Sequence, residues 1–176
     1  MWERPQWVQR VSRRSDVSKS YGDDVLELRS PLLRRLCEDW DHRRRGREFP
    51  TRADFDPLDL RYIIGNLSLL DVHYDPVRFR YRLHGTNIAH RAGLDLTGRN
   101  VADVPDIKWR DGLLKHFNAV IEKRKPIAVV FQHARTDHRT WHCEAVALPL
   151  SGDGASIDML MTSVVWPTSG ERFGWL

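Results

Sequence analysis

Val77-Arg78-Phe79-Arg80-Tyr81-Arg82-Leu83-His84 alternates apolar and polar side chains without a break. Successive side chains of a β-strand point to opposite faces. This period of 2 therefore predicts a strand with Val77, Phe79, Tyr81 and Leu83 on a core face and Arg78, Arg80, Arg82 and His84 in water. The segment from Leu67 to Tyr74 reads as the other arm of a hairpin, turned at Asp75-Pro76.

Downstream, Gly85-Thr86-Asn87 ends the hairpin, and a short helical piece with Ile88, Ala89 and Ala92 stops at Gly93. Residues 94 to 105 are irregular, with Asp95, Thr97, Gly98 and Asn100 as turn formers. Trp109, Leu113, Phe117, Val120 and Ile121 then recur at helical spacing and predict the longest helix, stopped at Lys123-Arg124-Lys125-Pro126. Three strands follow, at 127–134, 140–150 and 157–166, joined by polar turns at 135–139 and 151–154.

Upstream, Ser30-Pro31 is a helix start, with Leu33, Leu36, Cys37 and Trp40 as its apolar stripe and Gly46 as its stop. Asp56-Pro57 followed by Leu58, Leu60, Ile63 and Ile64 predicts a second short helix ending at Gly65-Asn66. Residues 1–29 show neither period and are expected to be a tail, either disordered or docked through Trp2, Trp7 and Val8 on the sheet or on a second subunit. Residues 30–166 form the domain, and 167–176 a C-terminal tail. One antiparallel sheet of about five strands, with helices on one face plus the N-terminal helix, satisfies these patterns, so the fold class is α+β.

The composition agrees with one ordinary domain. The chain has 176 residues, 41% hydrophobic and 30% charged, and its mean hydropathy is −0.52. No apolar run is long enough to span a bilayer, and the first residues lack the apolar core of a signal peptide, which makes the cytoplasm the expected location. Two cysteines, Cys37 and Cys143, support neither a disulfide framework nor a zinc site and are expected to be buried thiols. The net charge of +4 sets 28 basic residues against 24 acidic ones. That balance is too even to favour nucleic acid, and Arg43-Arg44-Arg45 with Arg47 reads as a solvated helix end.

The order of elements resembles that of PAS domains, and particular segments carry the resemblance further. These are residues 52–60 (RADFDPLDL), 79–86 (FRYRLHGT), 95–99 (DLTGR) and 148–154 (LPLSGDG) with Ile157-Asp158-Met159-Leu160, together spanning roughly residues 30 to 166. They are similar to the PAS-like family of short, free-standing bacterial proteins. The resemblance implies a PAS fold and a signalling or regulatory use. It identifies no cofactor, since PAS domains differ in what they bind.

A flavin photosensor of PAS type would need a reactive cysteine near the middle helices, where neither Cys37 nor Cys143 lies. A haem would need an axial ligand such as His90 or His116, but His116 is one residue off the apolar stripe and reads as a flank histidine. His133, His138, His142 and Cys143 are metal-ligand types, yet adjacent His142 and Cys143 on a strand point to opposite faces, so no metal site is expected. No phosphate-cradling glycine loop, nucleophile elbow or zinc-hydrolase helix occurs, so no enzymatic activity is expected.

The candidate ligand pocket lies between the sheet and the middle helices, where Tyr81, Leu83, Ile88, Phe117, Ile121, Phe131 and Met161 are placed to converge. His142 and Glu144 join them if their parity on the fourth strand faces inward. The other parity would turn them to solvent or to the N-terminal helix. The leading expectation is a sensory module that binds a small molecule, a signalling partner protein, or both, without a membrane. The rivals are a ligand-free interaction module and, more weakly, a nucleic-acid binder using Arg43, Arg44, Arg45, Arg47 and the row Arg78, Arg80, Arg82. A homodimer is expected, because a half-exposed sheet face needs cover.

Overall fold

The computed structural model describes residues 18–20, 28–134 and 140–166. The expected turn at 135–139, the C-terminal tail at 167–176 and most of the N-terminal segment lie outside the described residues. Within that segment, Ser18–Ser20 forms a three-residue strand, β1.

Helix α1, Pro31–Arg44, begins where the sequence places it. Pro31 opens the first turn, the Ser30 hydroxyl accepts the Leu33 N–H at 3.4 Å, and Leu33, Leu36, Cys37 and Trp40 are buried. It ends at Arg45 and Gly46, both with positive φ (48° and 79°). The predicted second helix does not form. Residues 57–63 are successive turns closed by i→i+3 bonds, such as Leu60 N–H to Pro57 O and Ile63 N–H to Leu60 O, and a single 3₁₀ turn occupies Ile64–Asn66. The i→i+3 bonds give this segment the tighter 3₁₀-type geometry.

β2, Leu67–His73, and β3, Arg78–Leu83, form the hairpin. Helix α2, Thr86–Ala92, stops at Gly93 in the left-handed region, and α3, Ile107–Lys123, is capped by Asp106, whose carboxylate accepts the Trp109 N–H at 2.9 Å. β4, Ile127–Ala134, β5, Thr140–Leu150, and β6, Met159–Val165, complete the chain. The sheet is antiparallel throughout, in the order β1-β4-β5-β6-β2-β3, so the five expected strands are joined by β1 at the β4 edge.

Cross-strand pairs share a face, and the register therefore sorts the core into two layers. Leu70 pairs with Tyr81 and with Leu160, and Val72 with Phe79. This is the face covered by α3, whose Phe117 meets Phe79 edge to face at 5.4 Å. Met161 pairs with Leu148 and Leu69, and Glu144 with Val165, on the opposite face, where α1 packs. The N-terminal helix and the middle helices thus sandwich the sheet, and the described part of β5 from Cys143 to Leu150 is buried on both sides. Pro149, which has no N–H to give, lies beyond the last β4 pair (Ile127 with Ala147), and its carbonyl accepts the Trp40 indole N–H at 2.8 Å.

The hairpin departs from perfect alternation at one point. Leu70 pairs with Tyr81 but Leu69 pairs with Leu83, so Arg82 is an extra residue that makes a β-bulge. The bulge reverses the expected faces: Leu83 is 43% exposed and His84 only 6%. Val77, expected in the core, precedes the strand and is 41% exposed.

Candidate functional site

The space between the sheet and α3 is where the sequence places a pocket. Phe79, Leu96, Phe117 and Ile127 are among the largest fully buried side chains, and Val101, Val104 and Val120 are buried with them. Tyr81 packs here too, its ring 5.0 Å from that of His84, and burial pushes its phenol pKa up, so it is a neutral core residue. Ile121 packs partly buried against the same cluster.

The other named residues divide. Ile88 and Phe131 belong to a smaller cluster with Ala92, Cys143 and Trp166 at the far end of the same face. Leu83 is at the surface, turned out by the bulge. Met161 and Glu144 lie on the α1 face, with the sheet between them and Phe117. His142 pairs with Gln132 at the parity of Glu144; its side chain, with those of His133 and His138, is outside the described residues. The eight whose side chains are described therefore do not converge on one cavity.

Glu144 has a definite structural task. It is 3% exposed, and its two carboxylate oxygens accept the backbone N–H groups of Arg29 (2.9 Å) and Ser30 (2.8 Å) at the start of α1. A buried carboxylate needs donors, and a helix start supplies both unpaired amides and a favourable dipole end. Glu144 pins α1 to the sheet.

His116 is buried, which corrects its placement on a flank. Its Nε2 donates to the Ile127 carbonyl at 2.9 Å, and desolvation lowers its pKa to about 4, so the ring is neutral. That nitrogen is engaged by the backbone of β4. His90 is exposed on α2. Both cysteines are buried thiols, as expected, with pKa values pushed up to about 12 by desolvation, which leaves them un-ionised and poor nucleophiles. Among the described residues, no group of three or more His, Cys, Asp or Glu side chains is placed to hold a metal ion, and no helix is long and apolar enough to cross a membrane.

On the other face, a shallow cleft of about 430 Å³ opens among Arg52, Asp71, His73, Arg82, Asp158 and Met159. Its charges are largely paired: Arg82 meets Asp71 at 2.8 Å, Arg52 donates to the Phe55 carbonyl at 2.7 Å, and Asp158 accepts the Gly152 N–H at 2.8 Å. Beside it Arg78, Arg80 and Arg82 stand exposed along β3, as the alternation predicts. The Arg43 to Arg47 cluster is tied up locally, with Arg43 on Asp59 and Arg47 on Asp54.

The profile of a family described as a PAS domain matches residues 28–163. Solved structures to which the chain is similar include a light-oxygen-voltage domain studied with a flavin analogue (13% identity, 58% of this chain and 77% of that one, TM-score 0.43). The Rhodobacter sphaeroides LOV protein is similar at 14% identity over 64% of this chain and 68% of that one, TM-score 0.43. An RNA-binding light-oxygen-voltage receptor is similar at 14% identity over 66% of this chain and 35% of that one, TM-score 0.42. No curated protein sequence matches the chain significantly.

Proposed function

The chain belongs to the PAS-domain family, and from that premise we propose that it is a sensory signalling module that works by contact with a partner protein, its core filled by its own side chains. The contact between Phe79 on the sheet and Phe117 on α3 supports this reading. A bound cofactor or drug-sized ligand needs roughly 300–1,000 Å³ of concave space with a few convergent polar groups. Between the sheet and α3 the two rings meet across that space, the pocket residues predicted from the sequence are split between two faces, and Glu144 is committed to α1, while the cleft of about 430 Å³ on the other face is shallow and its charges are largely paired within the chain. The exposed arginine row on β3 and the cleft beside it give the surface charge with which a protein partner would be recognised. No catalytic step is part of this reading.

Mass spectrometry of the purified full chain, first native and then denatured, tests it. The expected result is the mass of the bare 20.6 kDa chain under both conditions, with no visible absorption band. A small molecule released on denaturation would overturn the reading.

A further inference from the structure

His84 stands at the end of β3, buried against the loop of residues 94–100. Its Nδ1 accepts the Leu96 N–H at 3.2 Å, and the His84 backbone N–H donates to the Thr97 hydroxyl at 3.2 Å. From there the loop runs along β3, which is the last strand of the sheet. The Gly98 N–H donates to the Tyr81 carbonyl at 2.7 Å, and the Tyr81 N–H donates to the Arg99 carbonyl at 2.9 Å. Leu96 is fully buried, so its amide has no water to turn to if the imidazole stops accepting.

An imidazole nitrogen accepts a hydrogen bond only while it carries no proton. The Oδ1 of Asp95 lies 3.8 Å from the same Nδ1, on the exposed side of the loop, where it accepts from the Thr97 N–H (2.9 Å) and hydroxyl (2.7 Å). We propose that His84 is a proton-operated latch. Neutral, it holds the 94–100 loop over the edge of β3; protonated, its Nδ1–H faces the Leu96 amide donor to donor, turns to Asp95, and loosens the cover on that edge. The proton comes from solvent and stays on the ring.

The groups that face His84 set the direction. Burial is the larger influence and holds its pKa below the ordinary 6.5, while Asp95 acts in the opposite sense. Arg99 lies close enough to bear on Asp95. Tyr81 beside the ring is neutral, Ser68 of β2, which accepts the adjacent Gly85 N–H, is uncharged, and α2 has no acidic residue in its first turn. The latch is therefore closed at neutral pH and opens on acidification. It is an input separate from the partner contact proposed above, and it stands or falls without it.

Amide hydrogen exchange on the full chain in steps from pH 7.5 down to pH 4, expressed as protection factors, tests it, with Val146 at the centre of the sheet reporting global opening. The expected result is about a tenfold loss of protection at Leu96, Gly98 and Tyr81 relative to Val146 at the acid end of the series, the equivalent of one hydrogen bond. In His84→Asn the side-chain oxygen takes the place of Nδ1 as an acceptor that does not titrate, and that loss should vanish. Equal relative protection at every pH of the series in the wild type, or the same loss in His84→Asn, would overturn the proposal.

Discussion

Replacing Glu144 with glutamine removes one oxygen from a site that needs two. The carboxylate now accepts the Arg29 N–H at 2.9 Å and the Ser30 N–H at 2.8 Å while 3% exposed. Glutamine keeps one acceptor and presents an NH₂ group to the other amide, leaving a buried backbone donor facing a donor. Hydrogen bonds to a charged group contribute about 1.5–3 kcal/mol each, and loss of the negative charge from the helix start costs about 0.3–1 kcal/mol more. Release of the carboxylate's own desolvation cost offsets part of this. The net expectation is a destabilisation of about 2–3 kcal/mol, or a fall in Tm of about 6–9 °C for a domain of this size. Urea denaturation followed by tryptophan fluorescence measures it, since Trp40 sits on the helix that Glu144 anchors. A Glu144→Gln variant within about 0.5 kcal/mol of the wild type, the range of ordinary surface changes, would refute the assignment of Glu144 as the anchor of α1.

Three further outcomes follow from the same packing. Phe117→Ala, which empties the space against Phe79, is expected to cost about 3–5 kcal/mol in chemical denaturation; a cost below about 1.5 kcal/mol would mean that the two rings do not share one packed core. His116 has a folded pKa of about 4 against an ordinary 6.5, so the unfolded chain takes up its proton first. Its contribution is complete above pH 6.5 and is lost as pH falls toward about 4, by roughly 3 kcal/mol in all. Stability measured across that range should fall less steeply in His116→Gln. Gly85→Ala should impair folding, because a Cβ there would lie 2.6 Å from the Gly65 carbonyl and 2.7 Å from that of Leu67, both backbone atoms; soluble protein of wild-type Tm would contradict this.

The parts legible in the sequence were those where one periodicity acts alone. The stripe Leu33, Leu36, Cys37 and Trp40 fixed the buried face of α1, and the alternation from Arg78 to Tyr81 fixed the faces of β3. The alternation misled at Leu83 and His84, because a bulge inserts a residue without any mark in the pattern. The segment after Asp56-Pro57 carries helical spacing over a length that tertiary packing settled as turns. The candidate site was harder to read for a different reason. β5 is buried on both faces, so Glu144, Val146 and Leu148 look as apolar-facing as Ala145 and Ala147, and period 2 cannot say which set meets α3. Only the register against β6 and the position of Arg29 and Ser30 show that Glu144 faces α1. His116 is likewise one residue from the stripe, and its burial depends on where β4 begins.

The claim that the core is filled by its own rings is tested most directly by NMR of the protein as purified, with Phe79 and Phe117 selectively labelled. With ring centroids 5.4 Å apart in edge-to-face contact, their ring protons should give a direct cross-relaxation peak and none to a non-protein resonance. Absence of that peak, together with peaks from either ring to a bound small molecule, would contradict the account.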